Sequence, residues 1–81
     1  TKLLKLKIDT GIDIRTIVSG IAEYFEPQNL IGRQISIVAN LEPRKIKGIE
    51  SKGMILMAED KNGKLVLVIP AENVSNGSII K

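Results

Sequence analysis

The sequence predicts an all-β domain of the small-barrel type. Three observations lead there. Short apolar segments with period-two alternation recur, at residues 4–8, 12–18 and 34–40. Turn-forming residues separate roughly five to seven strand candidates at intervals of about 8 to 12 residues, the spacing of small sandwiches and barrels. Only one segment, residues 22–31, offers a helix. The chain has 81 residues, which limits it to a single domain with a modest core. Periodicity alone leaves the choice among small-barrel folds open.

Residues 4–8 alternate strictly, with Leu4, Leu6 and Ile8 on one face and Lys5 and Lys7 on the other. Asp9, Thr10 and Gly11 make a turn. Residues 12–18 return antiparallel, with Arg15 expected on the outer face beside Asp13. In residues 22–31, Pro27 suits the first turn of a short helix and Gly32 its C-terminal cap. Residues 34–40 follow as a strand, with Ile35, Ile37 and Ala39 inward and Ser36 and Asn40 outward. Pro43 stops that strand, because proline cannot donate to a ladder.

Residues 44–52 read as a charged connection. Residues 53–58 are apolar on both faces and are expected to be covered on both. Asn62 and Gly63, set between apolar runs, are the strongest short hairpin signal in the chain. Residues 65–69 form the returning strand, closed by Pro70, and the chain ends on Ile79, Ile80 and Lys81.

Composition narrows the chemistry. There is no Cys and no His, which removes thiol and imidazole nucleophiles, a His general base and the common zinc ligand sets. The nine acidic residues are scattered and none has calcium-loop spacing. No catalytic residue, metal site or cofactor is expected. The net charge of +3 permits an anionic partner without requiring one, so the distribution of charge must carry the argument. No apolar run is long enough to span a bilayer, and a soluble cytoplasmic protein with no membrane partner is the default expectation.

The most informative stretch is residues 38–56. An apolar strand ends in the polar Asn40, then come Pro43, a basic cluster of Arg44, Lys45, Lys47 and Lys52, the block Ser51-Lys52-Gly53-Met54, and a second apolar strand. By residue chemistry the cluster is either a phosphate-binding loop or an ordinary solvated one. Asn40 reads a base edge or ribose, or it caps a turn. Ser51 divides the same way, between a phosphate or 2′-OH contact and an ordinary turn hydroxyl. Lys5, Lys7 and Arg15 would form a strand-borne basic stripe, or serve as edge protection.

This stretch resembles the signature of the tRNA-binding OB domain, which is fused to the C-terminus of many methionyl-tRNA synthetases and also stands alone in small bacterial proteins. Residues 6–11, 15–21, 27–32 and 70–77 are similar to further blocks of that family in the same order. The resemblance implies a five-stranded OB barrel with one short helix between strands 3 and 4 and extra C-terminal strands. It makes residues 1–81 one tRNA-binding domain. The family normally begins with a strand and a His-Pro-containing loop ahead of the position of Thr1. The chain is therefore expected to be N-terminally truncated relative to the family, with exposed sheet edges.

The resemblance also implies a function. It points to a non-catalytic module that binds folded tRNA and assists a methionyl-tRNA synthetase catalytic domain, in cis or in trans. It favours RNA contact for Asn40, Arg44, Lys45, Lys47, Ser51 and Lys52, and associates Met54 with RNA binding, where composition alone would place a Met in the core. Tyr24 and Phe25 are the only aromatics, so a stacking platform for single strands is nearly absent and a folded RNA read by shape and phosphates is the expected target. Two alternatives stand beside this reading: a homodimerisation module, drawn from the apolar residues 65–69 and the Ile79, Ile80 pair, and a peptide-binding, chaperone-like relative.

Overall fold

Strand β1 (Leu4–Asp9) realises the alternation of its sequence, with Leu4, Leu6 and Ile8 half-buried and Lys5, Lys7 and Asp9 exposed. The structure, a computed structural model, describes residues 3–81. Strand β2 (Ile14–Ser19) pairs antiparallel with β1 through Leu6 and Ile17, Lys7 and Thr16, and Ile8 and Arg15. The connecting turn is held by the Gly11 amide, which donates to the Asp9 carboxylate at 2.9 Å, and by the Thr10 amide, which donates to the Asp13 carbonyl.

Directly opposed residues of an antiparallel pair share a face. Arg15 therefore lies on the side of Leu6 and Ile8, opposite to Lys5 and Lys7. This corrects the expected basic stripe of Lys5, Lys7 and Arg15. The register follows Ile17, which is fully buried at 0% exposure. Ile12 and Ile14, which the alternation put on the inner face, are exposed instead, Ile12 at 91%. Two apolar residues in succession, Ile17 and Val18, are both buried, so alternation did not say which set pointed inward.

The expected helix is a single 3-10 turn, Pro27–Asn29, closed by Leu30 N–H donating to the Pro27 carbonyl at 3.0 Å. Pro27 does occupy its first turn, but no side chain caps it and no acidic residue supports it. Phe25 and Leu30 on either side pack against the core.

Strand β3 (Ile37–Val38) pairs with β6 (Met54–Ile55), setting Ile37 against Ile55. Strand β4 (Arg44–Ile46) pairs with β5 (Ile49–Ser51), and β7 (Met57–Glu59) with β8 (Leu65–Leu67). The turn at Asn62 and Gly63 joins the last pair, with the Asp60 carboxylate accepting from the Asn62 and Lys64 amides at 2.8 and 3.0 Å.

The described residues thus contain four two-stranded ladders, and none closes on itself. The five-stranded closed barrel of the sequence expectation is not what the strand pairing shows. Single backbone bonds bridge the ladders instead, from Lys52 N–H to the Thr16 carbonyl at 2.8 Å and from Leu56 N–H to the Ser36 carbonyl at 2.9 Å. Ser36, expected outward, is buried.

The core is Ile17, Ile21 and Ile55, ringed by half-buried side chains from β1, β3, β7 and β8. Gly53 sits against it at φ +150, and a Cβ there would meet Ile17 Cδ1 and the Val38 carbonyl, each at 3.0 Å. Only glycine fits that conformation and that space.

Two further expectations change. Residues 53–58 are not covered on both faces: Met54 and Leu56 are exposed in the single chain. The extra C-terminal strands are also absent, since residues 70–81 contain no strand. Turn formers break up this tail, and the Gln34 amide holds it instead, donating to the Val74 carbonyl at 2.5 Å and to Asn76 Oδ1 at 3.0 Å while accepting from Val74 N–H. Among the described residues no helix is long and apolar enough to cross a membrane.

Candidate nucleic-acid interface

The basic cluster is a hairpin. Residues 44–52 read as a connection in the sequence, yet Arg44, Lys45 and Ile46 pair with Ser51, Glu50 and Ile49. Lys47 and Gly48 make the two-residue turn, both at positive φ (53 and 80). That is the backbone of a type I′ hairpin turn. The missed signal was Lys-Gly between Ile46 and Ile49. It resembles Asn-Gly in its second residue only, because lysine tolerates the left-handed region poorly.

Period-two alternation then distributes the charges. Ile46 and Ile49 are half-buried, while Lys45 and Glu50 are exposed. Lys47 sits at the tip. Glu50 lies 3.8 Å from the Lys52 ammonium, with both groups about half exposed, so the pair is weak. Among the described residues Arg44, Lys45 and Lys47 have no salt-bridge or hydrogen-bond partner for their side chains. Their charges are available to an anion.

A cleft of about 440 Å³ opens beside the hairpin. Leu41, Pro43, Ile46, Met54 and Ile55 supply its apolar walls, and Arg44 and Glu42 its charged groups. Met54 is 51% exposed, opposite Val38 in the ladder. A Met on this strand is thus at the surface, while Met57 packs against the core. Asn40 is exposed in the connection between β3 and β4, and its amide has no partner among the described residues.

Ser51 is placed differently from the sequence expectation of an RNA-contacting hydroxyl. It is 4% exposed; its Oγ accepts from Val18 N–H at 2.9 Å and donates to the Gly53 carbonyl at 3.4 Å. The hydroxyl is committed to joining β2 to β5. Burial against β2, seen only once the strands assemble, is the reason.

Arg15 is likewise engaged inside the chain. Its Nε and Nη2 take the two oxygens of Asp13 at 3.3 and 3.0 Å, and its Nη1 donates to the carbonyls of Ala39 and Lys52 at 3.1 and 3.2 Å. Asp13 accepts a further bond from Thr10 Oγ1 at 2.6 Å. The hydrogen bond from Arg15, followed by that from Thr10, holds the Asp13 carboxyl below its ordinary pKa. Lys5 and Lys7 are exposed on the opposite face, where the Lys7 ammonium donates to Thr16 Oγ1 at 3.1 Å. Among the described residues no cluster of three acidic side chains could hold a metal ion.

Taken together, a short-stranded all-β fold presents unpaired cations beside an apolar cleft, which is the make-up of a binding domain. Comparison with known proteins gives the class its family. Residues 1–79 match the family described as "Putative tRNA binding domain", and the chain belongs to that family. It is 65% identical over 79 residues to a methionine–tRNA ligase of Cytophaga hutchinsonii and 57% identical over 79 residues to that of Flavobacterium johnsoniae, covering 98% of this chain in both cases. It spans only 12% and 11% of the length of those two relatives.

Among solved structures, the MetRS-related protein from Pyrococcus horikoshii superimposes with a TM-score of 0.91 at 42% identity, over 99% of this chain and 73% of that one. The chaperone CsaA from Bacillus anthracis superimposes with a TM-score of 0.90 at 30% identity, over 98% of this chain and 76% of that one.

Proposed function

We propose that this chain captures folded tRNA, by phosphate contact and by shape, on behalf of a methionyl-tRNA synthetase. The observation that carries the reading is the β4–β5 hairpin, whose Arg44, Lys45 and Lys47 are unpaired and stand beside a cleft edged by the exposed Met54. Arg44 suits bidentate contact with a phosphate, and the lysines act as point charges. Asn40 and Lys52 flank the hairpin and extend the contact surface. Lys5 and Lys7, on the outer face of β1, would meet a more distant part of the same RNA. Ser51 and Arg15 hold this surface in place.

The domain supplies no chemistry. Joined to a catalytic domain that binds tRNA weakly alone, it would raise the local concentration of the substrate. The family membership and the identity to methionine–tRNA ligases support that assignment.

The test is titration of labelled folded tRNA at several salt concentrations, with single-stranded RNA of equal length as control. About four phosphate contacts give a slope of log K against log salt of roughly −3 to −4. A slope near zero, or equal binding of the single strand, defeats the reading. Capture of unfolded polypeptide with no tRNA binding would move the chain toward the chaperone side of its relatives.

A second reading rests on its own observation. Leu56, Val66, Val68, Ile79 and Ile80 are exposed apolar residues that the single chain leaves uncovered. They support a homodimer, which would also present two basic surfaces to one RNA. Sedimentation that finds only monomer at micromolar concentration overturns it.

A further inference from the structure

We infer that Arg15 and Asp13 are positioning residues for the RNA site: together they clamp the two legs of the cationic β4–β5 hairpin at its root, and Arg15 does not bind phosphate itself. This deepens the tRNA-binding reading and rests on it for the affinity it predicts.

The geometry is specific. Ala39 lies on the approach to the hairpin, just before Asn40, and Lys52 lies directly after the last residue of β5. One nitrogen, Arg15 Nη1, donates to the carbonyls of both. The legs that leave and re-enter the hairpin are thereby fastened to one group on β2. Asp13 grips the other edge of the same guanidinium, through Nε and Nη2. Three nitrogens spread over a planar fork make four bonds to three residues at once, whereas an ammonium has only three donors on a single atom. The Lys52 amide is tied to the same strand by its bond to the Thr16 carbonyl at 2.8 Å.

The electrostatics separate this role from a phosphate contact. The charge of Arg15 is matched by a carboxylate at 3.0 Å, and its side chain is 19% exposed. Removing the charge leaves the Asp13 carboxylate unmatched, so field alone predicts weaker binding for Arg15→Gln and no change for the charge-conserving Arg15→Lys. Removing Asp13 deletes an anion next to an anionic ligand, so field alone predicts tighter binding for Asp13→Asn. The clamp predicts the opposite sign, because the neutral amide offers one acceptor oxygen and the guanidinium loses its fixed orientation.

The experiment compares wild type, Arg15→Lys, Arg15→Gln and Asp13→Asn in two assays. In the first, tRNA affinity is titrated against salt at a temperature where circular dichroism shows every variant folded. Both Arg15 variants are expected to lose on the order of tenfold in affinity with the salt slope unchanged, and Asp13→Asn to lose affinity as well. In the second, amide hydrogen exchange is measured by NMR without RNA, and the Lys52 amide is expected to exchange faster in all three variants.

Rescue by Arg15→Lys together with a slope reduced by about one in Arg15→Gln makes Arg15 a phosphate ligand and overturns the inference. Unchanged affinity in folded variants makes the contacts merely stabilising, and tighter binding by Asp13→Asn overturns it too. If wild type binds no tRNA, the proposed function fails by itself. The exchange rate at Lys52 then still decides the clamp, and unaltered protection there refutes it.

Discussion

The hydroxyl of Ser51 accepts a hydrogen bond from the backbone amide of Val18 at 2.9 Å, inside the fold. Together with the bond from Lys52 N–H to the Thr16 carbonyl, this contact joins β2 to the end of the cationic hairpin. It replaces a ladder bond by a side-chain bond at the point where the two ladders meet. Substituting Ser51→Ala leaves the buried Val18 N–H without a partner and is expected to cost about 1 to 3 kcal/mol in stability. The check is chemical denaturation. The slope of tRNA affinity against salt should not change, since the hydroxyl makes no phosphate contact.

Lys47 separates stability from binding. It is the one non-glycine residue at positive φ among the described residues, and it stands at the hairpin tip. Asparagine tolerates that conformation better, and Asn-Gly favours the same turn. Lys47→Asn is therefore expected to raise stability by about 0.5 to 1 kcal/mol while weakening tRNA binding and lowering the salt slope by about one. Paired melting and salt titrations read both effects, and a parallel loss of both would refute the assignment.

Asp13 gives a pH signature. Its carboxyl is held below the ordinary aspartate pKa by Arg15 first and Thr10 second, with the charges of Arg15 and Lys52 adding to this and desolvation opposing it. A depressed pKa in the folded state stabilises the fold above the unfolded value, about 3.9. That contribution is lost as the pH falls through the lowered folded-state value. The difference in melting temperature between wild type and Asp13→Asn should be constant from pH 5 to 8 (about one to four units above that value) and shrink in stronger acid. An NMR titration of Asp13 should move upward in Arg15→Gln.

The tail is pinned by backbone contact. A Cβ on Gly77 would collide with the Thr10 carbonyl, and one on Gly11 with the Asn76 carbonyl. Both glycines are at positive φ, so Gly77→Ala meets strain and collision together. The expected outcome is release of residues 70–81, seen as faster limited proteolysis there, with the β1–β2 hairpin intact by NMR. Gln34→Ala should give the same pattern more weakly, because it removes the amide bonds and leaves the turn contact.

Local chemistry was legible. The strict alternation of Leu4, Leu6 and Ile8 marked β1, Asn62 and Gly63 marked the hairpin of β7 and β8, and Pro27 marked the 3-10 turn. The cationic cluster from Arg44 to Lys52 was visible as charge, and the block around Gly53 and Met54 as a family resemblance. These signals survive in sequence because they arise between residues close in the chain, where turn geometry and side-chain alternation act directly.

What the sequence by itself determined is therefore an all-β class, the places of its main turns and a candidate RNA-binding stretch. Only the tertiary structure decided which face Arg15 occupies, that Ser51 is internal, and that the charged connection is a hairpin. Two of these depend on partners far along the chain, Lys52 for Arg15 and Val18 for Ser51, while the hairpin pairs Ile46 with Ile49 locally across a turn that lysine does not announce. Alternation states that two faces exist. Which face is inner is settled when β2 packs with Ile17 in the core, because burying that side chain outweighs leaving Ile12 and Ile14 in water.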